Sequence, residues 1–137
     1  MTTLHALLLG AAAVLAGCAA PAPAPTASAA GPRPPDPRRV VQDFLRGQLK
    51  DPYAAQIEMR AMAPTTASGA ALFGPLVYAW GICADVNAKN AYGGYMGFKP
   101  VVVVWRADRG ILEGLGSFRD NALEDMAAAK VCRMFGG

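Results

Sequence analysis

The chain changes character at Arg33, which is its first charged residue. All 13 basic and 10 acidic side chains lie from this position onward, whereas the stretch before it is mainly Ala, Leu, Val and Pro. Only about the last 100 of the 137 residues therefore mix apolar and charged side chains as a packed core in water requires. That length accommodates one small domain and hardly two.

The N-terminal stretch has the pattern of a secretory signal. From Ala6 to Ala16 the sequence is almost entirely Ala, Leu and Val, an apolar run of 11 residues, whereas a helix that spans a bilayer needs about 20. This run predicts a signal peptide over residues 1–17. The alternative is an ordinary secretory signal cut near Gly17 or Ala20, which would leave Cys18 unmodified or remove it.

The apolar run closes on Leu15-Ala16-Gly17-Cys18, which resembles the lipobox of bacterial lipoproteins. In that family a signal peptidase cuts before the cysteine after its thiol has received a diacylglycerol. The resemblance implies a lipidated Cys18, recognition by the lipoprotein processing and sorting machinery, and anchorage to a membrane by two or three acyl chains. Because Ala19 rather than Asp follows the cysteine, it also implies the outer membrane, facing the periplasm.

Residues 18–37 have the composition of a linker. The 19 residues from Ala19 to Pro37 contain 7 Pro and 7 Ala, with no aromatic or large aliphatic side chain. We expect this segment to supply no core residue and to extend as polyproline II, with a reach of about 60 Å at about 3.1 Å per residue. It is interpreted as a spacer; the alternative is a Pro-rich ligand for an aromatic groove on a partner.

The remaining residues, 38–137, begin with a helix. Asp36 is placed to cap it and Pro37 to occupy its first turn, and Asp51-Pro52 is expected to stop it. Apolar residues recur at helical spacing and predict a face turned to the core: Val40, Val41, Phe44, Leu45 and Leu49.

Strand patterns follow the helix. Ile57, Met59 and Ala61 alternate with polar residues, and residues 64–75 are expected to form a loop. Residues 76–87 place their large side chains on one face, and residues 98–106 contain the run Val101–Val104, which is apolar on both faces and predicts a central strand. Residues 111–115 form a candidate edge strand.

A second helix is predicted near the C-terminus. Asn121 and Glu124 have capping-box spacing, and a helical stripe is formed by Leu123, Met126, Ala127, Val131 and Met134. The expected fold is a small single α+β domain: a helix, three or four mainly antiparallel strands, and a C-terminal helix, with both helices on one face of the sheet.

The two remaining cysteines, Cys83 and Cys132, are predicted to form a disulfide, because thiols in an oxidising compartment tend to pair. The alternative is a pair of buried free thiols.

Catalytic and metal-binding chemistry is poorly supported. The single histidine, His5, lies in the signal peptide, so no catalytic triad and no histidine-based zinc site is available to the mature chain. We therefore predict no enzyme, no metal and no cofactor, and the dispersed net charge of +3 argues against nucleic acid. A carboxylate-based hydrolase is the least favoured hypothesis; its candidate acids are Asp85, Asp108, Glu113, Glu124 and Asp125.

The segment from Cys83 to Pro100 is the most distinctive of the chain. Its candidate binding residues are Asn87, Lys89, Asn90, Tyr92, Tyr95 and Lys99. Together with Lys50-Asp51-Pro52, the pattern Cys-x-x-Val-Asn-x-Lys-Asn-x-Tyr-Gly-Gly-Tyr-x-Gly-Phe resembles a group of small, uncharacterised bacterial envelope proteins, and this likeness implies no activity. The residues have two interpretations: Asn and Gly shape a long hairpin connection, or Tyr and Lys bind a sugar, a peptide or an anionic cell-wall group.

Two functional hypotheses remain. The first is a structural or accessory module of the outer membrane or of a multiprotein envelope complex. The alternative is a binder of peptidoglycan or of a small ligand that uses residues 90–99.

Overall fold

The computed structural model describes residues 23–68, 75–116, 118 and 121–136. The signal peptide and Cys18 therefore lie outside the described residues. The elements are α1 (Ala27–Ala30), α2 (Pro37–Arg46), a 3₁₀ turn (Pro52–Ala54), β1 (Gln56–Ser68), β2 (Leu76–Lys89), β3 (Tyr95–Arg106), β4 (Gly110–Leu115) and α3 (Ala122–Met134). Among these residues, no helix is both long enough and apolar enough to cross a membrane.

The four strands form one antiparallel sheet in the order β1-β2-β3-β4. Each strand pairs with the next one along the chain, so short connections suffice. The α+β fold class and the order of helix, sheet and C-terminal helix are confirmed.

The two main helices cover opposite faces of the sheet. On one face Val41 and Leu45 of α2 pack on Val101 and Val103. On the other, Ala128 and Cys132 of α3 pack on Val102. The expectation that both helices share one face is wrong, because successive side chains of β3 point to opposite faces and each apolar face must be covered.

Helix α2 begins as predicted and ends earlier. The Asp36 side chain accepts a hydrogen bond from the Arg39 amide at 3.0 Å, and Pro37 occupies the first turn. The helix ends at Arg46, before Asp51, which instead caps the short 3₁₀ turn through the Ala54 amide at 3.3 Å.

Strand β1 differs from the sequence pattern in two ways. A bulge at Arg60 reverses the alternation, so that Ile57 packs in the cluster under α2 while Ala61 packs beside α3. The strand also continues through Pro64 to Ser68, where a loop was expected; residues 69–74 lie outside the described part of the chain. An edge strand tolerates this proline because one row of its amides faces away from the ladder.

The predicted disulfide between Cys83 and Cys132 is present, with the two Cα atoms 5.6 Å apart. It sets the rotation of α3, which buries Ala128 and Cys132. The predicted stripe does not face the core at four of its five residues: Leu123, Met126 and Met134 are 78%, 67% and 68% exposed, and Ala127 is exposed as well.

The start of α3 also differs from the predicted capping box. The helix does begin after Asn121, but the Asn121 side chain does not cap the backbone. Instead its Nδ2 donates to Glu124 Oε2 at 3.4 Å, and Glu124 Oε1 accepts from the Gly116 amide at 3.4 Å. Glu124 thus ties the first turn of α3 to the end of β4.

Residues 23–36, which we call the strap, pack against the sheet. Ala30 is fully buried, the Trp80 indole Nε1 donates to the Gly31 carbonyl at 2.9 Å, and the Arg33 guanidinium lies 4.8 Å from the centre of the Trp80 ring. The expectation that residues 19–37 supply no core residue is therefore wrong. The strap buries the small side chains of Ala30 and Pro34, and the indole N–H satisfies one of its backbone carbonyls.

Candidate binding groove at the β2–β3 end

Asn90 shapes the turn that joins β2 to β3. Its Oδ1 accepts hydrogen bonds from the amides of Tyr92 and Gly94, both at 3.0 Å, and its own amide donates to the Gly94 carbonyl at 2.8 Å. Gly93 has a φ of 86°, a backbone conformation that glycine adopts at little cost. The hairpin interpretation of Asn90 and the glycines therefore has a direct geometric basis.

Asn87 also holds the backbone. Its Oδ1 accepts from the Gly97 amide at 2.9 Å, and its Nδ2 donates to Gln56 Oε1 at 3.1 Å. These bonds span the irregularity between Asn87 and Lys89, where the β2–β3 register shifts. Asn87 connects three strands and does not line the groove described below.

The tyrosines of this segment have different surroundings. The Tyr95 hydroxyl donates to the Ala54 carbonyl at 3.1 Å, and Lys89 Nζ lies 5.4 Å from the centre of the Tyr95 ring. Tyr92 is 97% exposed at the tip of the turn. Tyr95 thus fastens the hairpin to the 3₁₀ turn, while the Tyr92 ring is available to a ligand.

A groove of about 750 Å³ lies beside this turn. Four of the predicted residues line it, namely Lys89, Asn90, Tyr92 and Lys99, whereas Asn87 and Tyr95 do not. Among the described residues, the lining consists of Gln48, Leu49, Lys50, Lys89, Asn90, Ala91, Tyr92, Met96, Lys99 and Phe118. Gln48, Lys50 and Phe118 also line the groove, and no sequence pattern indicates them as site residues, although Lys50 belongs to the Lys50-Asp51-Pro52 motif.

The groove lining is cationic. Lys50, Lys89 and Lys99 contribute three ammonium groups, and no carboxylate side chain is present among the described residues that line it. Lys99 Nζ pairs with Asp125 at 3.5 Å. Lys50 and Lys89 form no ion pair with any carboxylate in the described part of the chain.

Apolar side chains complete the groove. Leu49, Met96 and Phe118 supply carbon surface, and Phe118 also packs against the core cluster under α2. An anionic group with an apolar or ring-shaped neighbour would contact lysines and carbon surface at once. The arrangement is that of a binding surface; it offers positive charge and stacking area.

The candidate acids of the hydrolase hypothesis have separate environments. Glu113 lies in a smaller cavity of about 270 Å³ between the sheet and the end of α3, and its partial burial raises the pKa of the carboxyl group. A hydrogen bond from Arg106 lowers the pKa of Asp108. The other three have these polar neighbours: Arg60 for Asp85, the Gly116 amide for Glu124, and Lys99 for Asp125.

Within residues 23–68, 75–116, 118 and 121–136, no three side chains of His, Cys, Asp or Glu form a group able to hold a metal ion. Comparison of the chain with protein-family models, with curated proteins and with solved structures found no match.

Proposed function

We propose that this protein is a lipid-anchored binding module of the bacterial cell envelope, and that its groove at the β2–β3 end holds an anionic ligand. The observation that carries this proposal is that Lys50 and Lys89, which form no ion pair within the described part of the chain, line one groove together with Lys99, whose charge is paired with Asp125, and that the described lining contains no carboxylate. Lysines so placed favour anions, because an ammonium group stabilises an opposite charge at short range.

The ligand class follows from the rest of the groove. Tyr92 presents a flat ring to the solvent, and a sugar ring or a peptide plane stacks on such a face. Leu49 and Met96 lie beside the lysines and accommodate the carbon part of a ligand. Peptidoglycan combines sugars, peptides and free carboxylates, so the cell wall is the ligand that we favour.

The anchor is proposed from the sequence. Lipidation at Cys18, outer-membrane localisation and a periplasmic orientation all rest on the lipobox resemblance and on Ala19. The disulfide between Cys83 and Cys132 is consistent with a compartment outside the cytoplasm, because disulfides persist in oxidising environments.

The test is co-sedimentation with purified peptidoglycan. The Lys50→Ala/Lys89→Ala and Tyr92→Ala variants should each bind more weakly than wild type, the first by roughly tenfold because two charge contacts of about 0.7 kcal/mol each are lost. Added salt should weaken wild-type binding, since it screens exposed charges. Lys130→Ala is the matched control, because this exposed lysine lies on α3, away from the groove.

Equal retention of wild type and both groove variants would contradict the proposal. Thermal unfolding of each variant must match wild type, so that weaker binding reports the groove and not the fold.

The exposed side of α3 favours a second candidate, the structural or accessory module of a multiprotein envelope complex. Leu123 and Met126 lie largely in solvent there. Site-specific crosslinking from Met126 in cells should then capture one defined envelope protein, and Leu123→Ser should reduce that product. Capture of no defined partner would argue against this candidate.

A further inference from the structure

The strap fixes where the chain enters the domain. The first described residue, Pro23, accepts a hydrogen bond through its carbonyl from the Tyr78 hydroxyl at 3.3 Å. Tyr78 lies near the start of β2, whereas Lys89 lies at the other end of the same strand. Eleven residues at about 3.3 Å each separate the two, so the entry point and the groove lie about 36 Å apart along the sheet.

The distance from the anchor to this entry point is short. Only five residue steps connect Cys18 to Pro23, and five residues span at most about 18 Å when fully extended. This inference rests on the lipid anchor proposed above. If Cys18 carries acyl chains, the Tyr78 end of the sheet cannot lie further from the bilayer surface than this tether allows.

The strap does not lengthen the tether, because it is bound along its course. Ala30 and Pro34 are buried, and Trp80 both donates to the Gly31 carbonyl and receives the Arg33 guanidinium on its ring. Releasing these contacts would expose the indole and leave its N–H without the strap carbonyl. The segment therefore acts as part of the domain and not as a 60 Å spacer.

The surface at this end suits a lipid headgroup region. The turn between β3 and β4 lies at the same end of the sheet as the start of β2, since Arg106 donates to the Tyr78 carbonyl at 2.7 Å. Leu76 and Ile111 are 52% and 38% exposed there, and the Arg109 side chain is 58% exposed. The same turn carries one carboxylate, Asp108, which both Arg106 and Arg109 contact, so the turn keeps a net positive charge. Apolar side chains next to such a turn match the chemistry of an interface with anionic lipids.

We infer that the strap holds the Tyr78 end of the sheet against the lipid surface, so that the lysine-lined groove opens away from the membrane. The groove then lies about 36 Å further from the bilayer surface than the Tyr78 end of the sheet, which contacts the lipid. A groove in this position meets ligands of the periplasmic space and not the headgroups of its own membrane.

The experiment uses the full chain, lipidated in a bacterial host and reconstituted in vesicles of phosphatidylethanolamine and phosphatidylglycerol. A photo-crosslinking benzoylphenylalanine replaces Leu76 in one sample and Tyr92 in a matched one, and lipid adducts are counted by mass spectrometry. We expect lipid adducts at position 76 and almost none at position 92.

A second pair of samples carries a Gly/Ser insertion of about 20 residues between Ala20 and Pro21. The tether then grows about fivefold, and because effective concentration falls as roughly the −3/2 power of length, lipid adducts at position 76 should fall about tenfold. Unchanged labelling after the insertion would overturn the inference, since tether length would then not set the position.

The intact mass of each sample separates the two proposals. An acylated chain that labels equally at positions 76 and 92 would overturn the inference and leave the anchor standing. A chain without acyl mass would contradict the anchor itself, and this inference with it.

Discussion

Replacing Cys83 and Cys132 together by Ala tests how α3 is held to the sheet. The bond joins residues 49 apart in sequence, and the chain-entropy relation gives about 4 kcal/mol for a closed loop of this size. Apart from the disulfide, the apolar contacts of α3 are few: Ala128 and Cys132 are its only buried residues, Val131 and Phe135 are partly buried beside them, and Leu123 and Met126 face solvent. Its polar ties are those of Glu124 to the Gly116 amide and of Asp125 to Lys99. The loss is a large share of the stability of a domain of this length.

Urea unfolding followed by tryptophan fluorescence measures the effect. With a denaturant slope of about 1.3 kcal/mol per molar, a loss of about 4 kcal/mol lowers the midpoint by about 3 M. Wild type in reductant should unfold close to the double variant. Hydrogen exchange should show α3 losing protection before β2 and β3, because the strands keep their ladder bonds and their cover by α2.

Val86→Ala is the control on the opposite face of the sheet. It removes two methyl groups from the cluster under α2 and should cost about 2 kcal/mol, to the same extent with and without reductant. A shift of less than about 1 kcal/mol on reduction of wild type, or an α3 that keeps its protection, would refute the reasoning.

Three further predictions concern single residues. Gly114→Ala places a Cβ where the Phe44 ring lies, so it should lower stability by about 1–3 kcal/mol, and Phe44→Leu in the same chain should recover part of that loss in thermal unfolding. Burial raises the pKa of Glu113, so the folded state binds this proton more tightly than the unfolded state. Stability should therefore fall as pH rises from the ordinary glutamate range through the raised pKa, and Glu113→Gln should flatten this part of the Tm profile; an unchanged profile would count against it. Asn90→Ala leaves the amides of Tyr92 and Gly94 without their acceptor and should destabilise the turn by about 1 kcal/mol, whereas Asn90→Asp keeps an accepting oxygen. Equal hydrogen exchange of the turn in both variants would contradict this role.

Local signals in the sequence predicted much of the fold. Asp36 and Pro37 start α2 because a side-chain acceptor and a fixed φ both favour a first helical turn. The run Val101–Val104 identifies the central strand β3. The same run also requires cover on both faces of the sheet, which is incompatible with two helices on one face.

The errors have physical causes. A single bulged residue such as Arg60 has no recognisable sequence pattern. It nevertheless turns every later side chain of the strand to the opposite face of the sheet. The strap has the composition of an unstructured linker, and only the long-range partner Trp80 gives it a place in the fold. The rotation of α3 follows the disulfide through Cys132 and not its apolar stripe.

The sequence predicts the part of the candidate site that comes from one continuous segment. Lys89, Asn90, Tyr92 and Lys99 lie within one segment and meet at the groove. Lys50 comes from another part of the chain, and contacts between distant segments are not visible in a single sequence. The sequence does not show that Asn87 connects three strands, because this follows only from its hydrogen bonds to Gly97 and Gln56.

The intact mass of the chain extracted from membranes tests the central claim most directly, because both the binding proposal and the orientation depend on an anchored, oxidised protein. The account predicts a polypeptide that begins at Cys18, carries the mass of a diacylglycerol and of any further acyl chain, and lacks the two hydrogens of the Cys83 and Cys132 thiols. A polypeptide that begins at another residue, or that begins at Cys18 with no added lipid mass, would contradict it.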